Sequence, residues 1–259
     1  MKNLLYLIFG LTLMASCSTP LYIPNATNTP SLLEKGEIEA GGYLGTNGWD
    51  LQSAYAINED FGVMLNGSYG KNQSDSTDTY SMHRFAEIGF VYTSIIKTKE
   101  GRKRERNTFF NGIAGYGLGQ AEGLRRFSNI FDNSIKYTQI SAGDYYRIFL
   151  QPGFGSSNGF FEFHFSLRMS YVRFTSLVNK LEWDPSLVND EGLWYNYYFE
   201  PTMTFKIGGE NAKFLFQTGA SIPQYMGDAT AFRNRGFIFI IGFHLNFFTY
   251  SKKKEWHNS

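Results

Sequence analysis

From Phe161 to Tyr171 the chain alternates without a break. Phe161, Phe163, Phe165, Leu167, Met169 and Tyr171 fall on one parity, and Glu162, His164, Ser166, Arg168 and Ser170 on the other. A period of two belongs to an extended strand, whose successive side chains point to opposite faces. This stretch therefore has one apolar face and one charged face, and the fold must give each its own environment. In a soluble barrel or sandwich the apolar parity points into a core. In a membrane barrel it faces lipid while the polar parity lines a lumen. The strand alone allows both.

The same alternation recurs towards the C-terminus. Phe237, Phe239, Ile241, Phe243, Leu245 and Phe247 oppose Gly242, His244 and Asn246, and Tyr197, Phe199, Met203 and Phe205 oppose Tyr198, Glu200, Thr202, Thr204 and Lys206. Between Ile140 and Gly155, Tyr146, Ile148 and Leu150 oppose Tyr145, Arg147 and Gln151. With 25 Phe, 17 Tyr and 27 Gly in 259 residues, the composition is that of one large all-β domain rather than a helical one. A formal net charge of +1 gives no general basis for nucleic-acid binding.

The folded region is expected over 37–250, as about ten segments of strand length, each near the 9–11 residues that cross a bilayer. Connections alternate in length. Long ones are expected at Lys71 to Met82, Ala121 to Gln139, Thr175 to Leu193 and Pro223 to Arg235, with shorter ones at Asn58-Glu59-Asp60, Ser156 to Gly159 and Gly208 to Asn211. In an up-and-down barrel, consecutive connections lie at opposite rims, so the long ones share one end. The brief Asn47-Gly48 turn, suited to a primed hairpin, and the Lys97 to Arg106 connection with six basic residues depart from this rhythm. Pro152 and Pro201 fall inside strands and predict a bulge or a later strand start. The fold expected is an up-and-down antiparallel transmembrane β-barrel of about ten strands, with eight strands or a soluble lipocalin-like barrel around an apolar ligand as alternatives. Rings on the outside are favoured, because so many Phe and Tyr side chains would overfill a small lumen.

Met1-Lys2-Asn3 is a basic start, Leu4 to Met14 a short apolar run, and Ala15-Ser16 are small residues before Cys17, the one cysteine of the chain. Leu13-Met14-Ala15-Ser16-Cys17 resembles the lipobox of a bacterial lipoprotein signal. By that resemblance 1–16 is a signal peptide and Cys17 the lipidated N-terminus. Residues 17–36, with Pro20, Pro24 and Pro30, read as a tether, and 251–259 as a short tail after Phe247-Phe248, which resembles the aromatic C-terminal signal of outer-membrane barrels. An even strand number returns both termini to the periplasmic rim of a Gram-negative outer membrane. No acidic run follows Cys17 of the kind that sends some lipoproteins to the cell surface. The partners implied are outer-membrane lipid and an outer-membrane protein.

His164 and Ser166 share a face, and this His-x-Ser resembles outer-membrane phospholipases and lipid A deacylases, which implies a lipid hydrolase as one alternative. Those enzymes follow the Ser with Asn, whereas Leu167 follows here. The other reading puts Glu162, His164, Arg168, Glu200 and Lys206 together in a lumen network that plugs the bore and carries no steady current. Gly112, Gly115, Gly117 and Gly119 lack the helix and Lys-Ser/Thr of a phosphate loop and read as small residues beside large neighbours. His83, His164, His244 and His257 have no metal-ligand spacing, so neither cofactor nor metal is expected.

Overall fold

The computed structural model describes residues 20–32, 34–74, 79–99, 106–128, 135–181, 194–209, 211–224 and 234–248. Residues 1–16, expected to be a signal peptide, Cys17, His257 and the expected tail 251–259 lie outside them.

The strands are β1 (Glu37–Gly45), β2 (Gly48–Ala56), β3 (Phe61–Ser74), β4 (Thr79–Lys99), β5 (Arg106–Ser128), β6 (Ile135–Ser157), β7 (Phe161–Leu181), β8 (Tyr195–Gly208), β9 (Ala212–Ala220), the two-residue β10 (Ile222–Pro223) and β11 (Phe237–Phe248). Each pairs antiparallel with its neighbour in sequence, and β10 continues β9 along β8 after a break at Ser221. β1 then pairs with β11 from Glu37↔Phe248 to Gly45↔Ile240, which closes the sheet. The result is a closed ten-strand antiparallel barrel plus one short extra strand, so the eight-strand alternative does not hold.

Closure leaves no free edge, and parity decides the rest. Phe161, Phe237, Phe239, Ile241, Phe243, Leu245 and Phe247 face outwards, Phe243 with 68% of its surface exposed, whereas Glu162, His164, Ser166, Arg168 and Ser170 are buried in the lumen. The rings do not surround an apolar ligand, so the lipocalin-like arrangement is not the one adopted. On β6 the outward residues run from Asp144 through Tyr146, Ile148, Leu150, Pro152 and Phe154 to Ser156, apolar between two polar ends. At ~3.3 Å per residue and a tilt of 35–45°, the apolar residues Tyr146 to Phe154 span about 20 Å of height and their polar flanks stand about 30 Å apart.

Turns close one rim through local chemistry. Asn58 Oδ1 accepts the amides of Asp60 (2.9 Å) and Phe61 (2.7 Å), and Asn158 Oδ1 those of Phe160 (3.2 Å) and Phe161 (2.7 Å). The Asx geometry lets one side chain stand in for a backbone acceptor in both tight turns. At the opposite rim Gly45 pairs with Gly48, so the β1–β2 turn consists of Thr46 and Asn47, one residue earlier than the sequence suggested. Gly48 follows at φ +117°, where a Cβ would be strained.

Two other expectations change. Two of the four long connections are mostly strand, since β3 runs to Ser74 and β4 begins at Thr79, and β5 runs to Ser128 and β6 begins at Ile135; β7 also extends to Leu181. These extensions, such as KNQS at 71–74 and AEGLRRFS at 121–128, lack the apolar outward parity of the belt, which made them look irregular. Pro201 causes no bulge. It stands opposite Leu167 in unbroken β7–β8 register, and on its other side it falls between the end of the β8–β9 ladder at Thr202↔Gly219 and the β8–β10 pair at Ile222↔Phe199. No backbone donor is needed in that gap. Pro152 likewise leaves the β6–β7 register intact, with pairing resuming from Leu150↔Met169 to Gly153↔Ser166.

Gly115, Gly117 and Gly119 point inwards, and a Cβ at each would overlap the ring of Phe149, Phe85 or Tyr145 respectively. They make room for large lumen side chains, as the sequence suggested, whereas Gly112 lies on the other parity.

Candidate functional site: a lumen filled by the chain's own N-terminal segment

Residues expected to form a solvent tether instead lie inside the barrel. Every residue from Leu21 to Leu32 is buried. Without periodicity of its own, and with Pro24 and Pro30 interrupting any ladder, the segment cannot pair as a strand. Its backbone groups must therefore find side-chain partners. The inward parity supplies them. Gln217 acts as a surrogate strand, its Oε1 accepting the Thr27 amide (2.8 Å) and its Nε2 donating to the Thr27 carbonyl (2.8 Å). Ala26 is held in the same way, its amide donating to Asp50 Oδ1 (3.0 Å) and its carbonyl accepting from Gln52 Nε2 (2.8 Å). Gln151 donates to Asn28 O (2.7 Å), Lys206 Nζ to Thr29 O (2.9 Å) and Asn111 Nδ2 to Pro30 O (3.0 Å).

Four apolar side chains of the segment join clusters on the wall. Leu21 and Tyr22 pack among Phe85, Tyr145, Phe174, Trp194 and Tyr198, Ala26 beside Tyr43, Leu215, Ile238 and Ile240, and Leu32 against Met64, Val91, Ile113 and Phe149. Tyr22 and Tyr198 are tilted rings 4.3 Å apart, and Tyr145 stands edge-on to Tyr22 at 5.9 Å. Full burial of a residue the size of Leu contributes roughly 1.5–3 kcal/mol.

The lumen also holds two ionic clusters. In the first, Arg168 Nε donates to Glu200 Oε2 (2.6 Å) across the β7–β8 pair, while Arg147 of β6 pairs with Glu87 of β4 over Gly117 of the intervening β5. Asn25 knits the two together: its Oδ1 accepts from Arg147 (2.8 Å) and Arg168 (3.0 Å), and its Nδ2 donates to Glu87 (3.0 Å). Tyr22 Oη donates to Glu200 Oε1 (3.0 Å) and accepts from Arg147 (3.1 Å). In the second cluster Glu162 meets Lys206 (3.5 Å) and Lys213, while Glu39 faces Lys206 (3.6 Å) and His244 (3.1 Å). Ser31 donates its amide to Glu39 (2.9 Å) and its hydroxyl to Glu162. Buried charges survive only when paired and hydrogen-bonded, and here the threaded segment provides much of that pairing.

The five residues proposed as a lumen network are thus all inward and buried, divided between the clusters: Arg168 and Glu200 in one, Glu162, His164 and Lys206 in the other. Glu39, Glu87, Arg147, Lys213 and His244 complete them. Their inward parity was readable, but pairing over an intervening strand or across the β1–β11 seam was not.

The hydrolase pair is not assembled. Ser166 Oγ bonds Thr202 Oγ1 (2.7 Å), while His164 Nε2 is approached by Ser31 Oγ (3.0 Å) and Glu162 Oε1 (3.1 Å). Ser31 and Glu162 converge on the same ring nitrogen, so they do not form a relay in which a carboxylate orients the histidine from its other nitrogen. All of these groups lie in the packed lumen, away from the outer face that a lipid substrate would meet.

Removing the Gln217 amide tests the threading locally. Gln217→Ala strands the buried Thr27 amide and carbonyl, at about 1–3 kcal/mol each. The Thr27 amide should exchange with deuterium at least roughly tenfold faster, since about 1.4 kcal/mol is a factor of ten. Unchanged protection would mean that Thr27 is held by something else.

Comparison with protein-family models and with curated proteins returns no match.

Proposed function

We propose that the protein is a lipid-anchored β-barrel of a Gram-negative outer membrane, closed by its own N-terminal segment, and that it serves as a structural or partner-binding element rather than as a pore or an enzyme. The observation that carries this reading is the inversion of parity around a closed barrel: apolar rings outside, ionic side chains inside. A water-facing surface holding Leu51 (69% exposed), Phe90 (72%) and Phe243 (68%) together with their neighbours would be one continuous apolar belt, far beyond the few hundred Å² that soluble monomers expose. Tyr116, Tyr146, Tyr171, Tyr195 and Tyr197 form an outward tyrosine patch on β5–β8, with neighbouring ring centroids 5.2–6.3 Å apart. They suit the amphipathic interface between hydrocarbon and headgroups. The lipobox at Cys17 supplies the anchor, and the connections at the loop rim supply a surface for an outer-membrane partner.

The test is solubility. Made without residues 1–16 and with Cys17→Ser, the protein should need detergent or lipid to remain dispersed. A monodisperse monomer in plain buffer would overturn the membrane reading. Substitution within the belt gives a graded version. Leu150 lies halfway between Asp144 and Ser156 on β6, and Leu150→Arg should lower folding stability in vesicles by about 2–4 kcal/mol, the cost of a cation at the bilayer midplane. A neutral effect on vesicle folding would contradict it.

A further inference from the structure

We infer that the acylated Cys17 emerges at the rim bearing the long connections and inserts in the leaflet on that side, the outer one, so that the barrel is anchored at the cell surface by a terminus drawn through its own bore. This rests on the outer-membrane reading above and replaces the expectation that both termini share the periplasmic rim.

The direction of the threaded segment carries the inference. Its early residues sit at the loop rim. Tyr22 forms a parallel bridge with Asn234, its carbonyl accepts the Arg235 amide (3.0 Å), and Asn47 of the β1–β2 turn donates to the Pro24 carbonyl (2.5 Å). Its last residues sit at the opposite rim. Leu32 packs over Gly62 and Ala56, the Gly36 amide donates to Ala56 O (2.9 Å), and Glu37 stands opposite Phe248 at the end of β11. The segment therefore crosses the barrel once before β1 starts back. Ten strands do return β11 to the rim where β1 began, but the crossing that precedes them puts Leu21 at the other one.

Length excludes a return. Four residues separate Cys17 from Leu21, a reach of about 14 Å at full extension. Tyr145, which packs against Tyr22, is twelve residues from Ser157 at the turn rim of β6. That is roughly 40 Å along the strand and about 30 Å along the barrel axis at the usual tilt. The bore is filled by the segment itself, so no internal route remains. Acyl chains on Cys17 can enter only the leaflet next to the loop rim, which in outer-membrane barrels is the outer leaflet.

The experiment uses single cysteines in the full-length protein in intact cells, with a membrane-impermeant maleimide. Acylation turns the sulfur of Cys17 into a thioether, so this native position is silent, and mass spectrometry of the mature protein verifies the modification. Thr19→Cys should label in intact cells, as should Glu191→Cys in the β7–β8 connection, while Glu59→Cys in the β2–β3 turn should label only after the outer membrane is permeabilised. Heat-modifiable migration establishes that each variant is folded, and Ser18→Cys gives a second position nearer the anchor. If the positions at 18 and 19 label only after permeabilisation while Glu191→Cys labels freely, the barrel reading stands and the surface anchor is overturned. An unmodified Cys17 also overturns it. If Glu59→Cys is the accessible site and Glu191→Cys is not, the orientation of the barrel fails as well.

Discussion

Deleting Leu21–Leu32 turns a closed barrel into a conducting one. In planar bilayers the full-length protein should carry no steady current, and the shortened protein, with Cys17 to Pro20 joined to residue 33, should carry a stable ohmic one. Eight strands leave an interior that wall side chains fill, and ten leave more. Here the excess is occupied by the chain itself. Once it is gone, Arg147, Arg168, Lys206 and Gln217 lose their contacts with Asn25, Thr27 and Thr29 and face a hydrated passage. The deletion also forfeits the burial of Leu21, Tyr22, Ala26 and Leu32, so the unfolding midpoint should fall. Heat-modifiable migration separates an open barrel from an unfolded one. Equal current from both proteins, or none from a correctly folded deletion, would show that the segment is not what closes the bore.

Loss of one buried carboxylate should be the most damaging point substitution. Glu200 accepts from Arg168 (2.6 Å), Ser170 (3.1 Å), Ser221 (3.0 Å) and Tyr22 (3.0 Å), and neither it nor Arg168 has measurable exposure. Glu200→Ala leaves a guanidinium in a dry layer with its chief counter-charge gone, which costs about 3–5 kcal/mol. Replacing both partners, Arg168→Met with Glu200→Met, should recover much of that loss, because neither charge then needs solvation. Urea unfolding in vesicles reads both. If Glu200→Ala is nearly neutral, or the double substitution is worse than either single one, the pair is not held in a dry lumen.

The wall of this barrel was legible because its signal is local. Phe161 to Tyr171 declares its two faces within eleven residues, and each face takes a different environment. Asn58 and Asn158 mark their turns by bonding amides two and three residues on. The strand extensions of β4 to β7 were obscured for the converse reason, since a strand that leaves the apolar belt loses the alternation that identifies it. The threaded segment was the least legible feature. Pro24, Asn25, Thr27, Asn28 and Pro30 are the residues of a solvated linker, and nothing nearby in sequence marks them as buried. Their partners are remote: Gln217 lies 190 residues from Thr27, and Glu162 is 131 from Ser31. The same distance explains the site. Glu162 with Lys206 and Arg168 with Glu200 sit opposite one another on adjacent strands, where parity and register bring them together. Glu87 with Arg147, which meet over Gly117 of the strand between them, and Glu39 with His244, which meet across the β1–β11 seam, needed the order and register of the whole sheet.

Spin labels along β6 of the protein in lipid vesicles, placed one at a time from residue 147 to 151, test the central claim most directly. Collision rates with oxygen, which concentrates in acyl chains, and with a water-soluble nickel complex should alternate with a period of two. Labels at 148 and 150 should be oxygen-accessible and nickel-shielded, while those at 147, 149 and 151 are shielded from both. Oxygen access at 147, 149 and 151, or nickel access at 148 and 150, would contradict it.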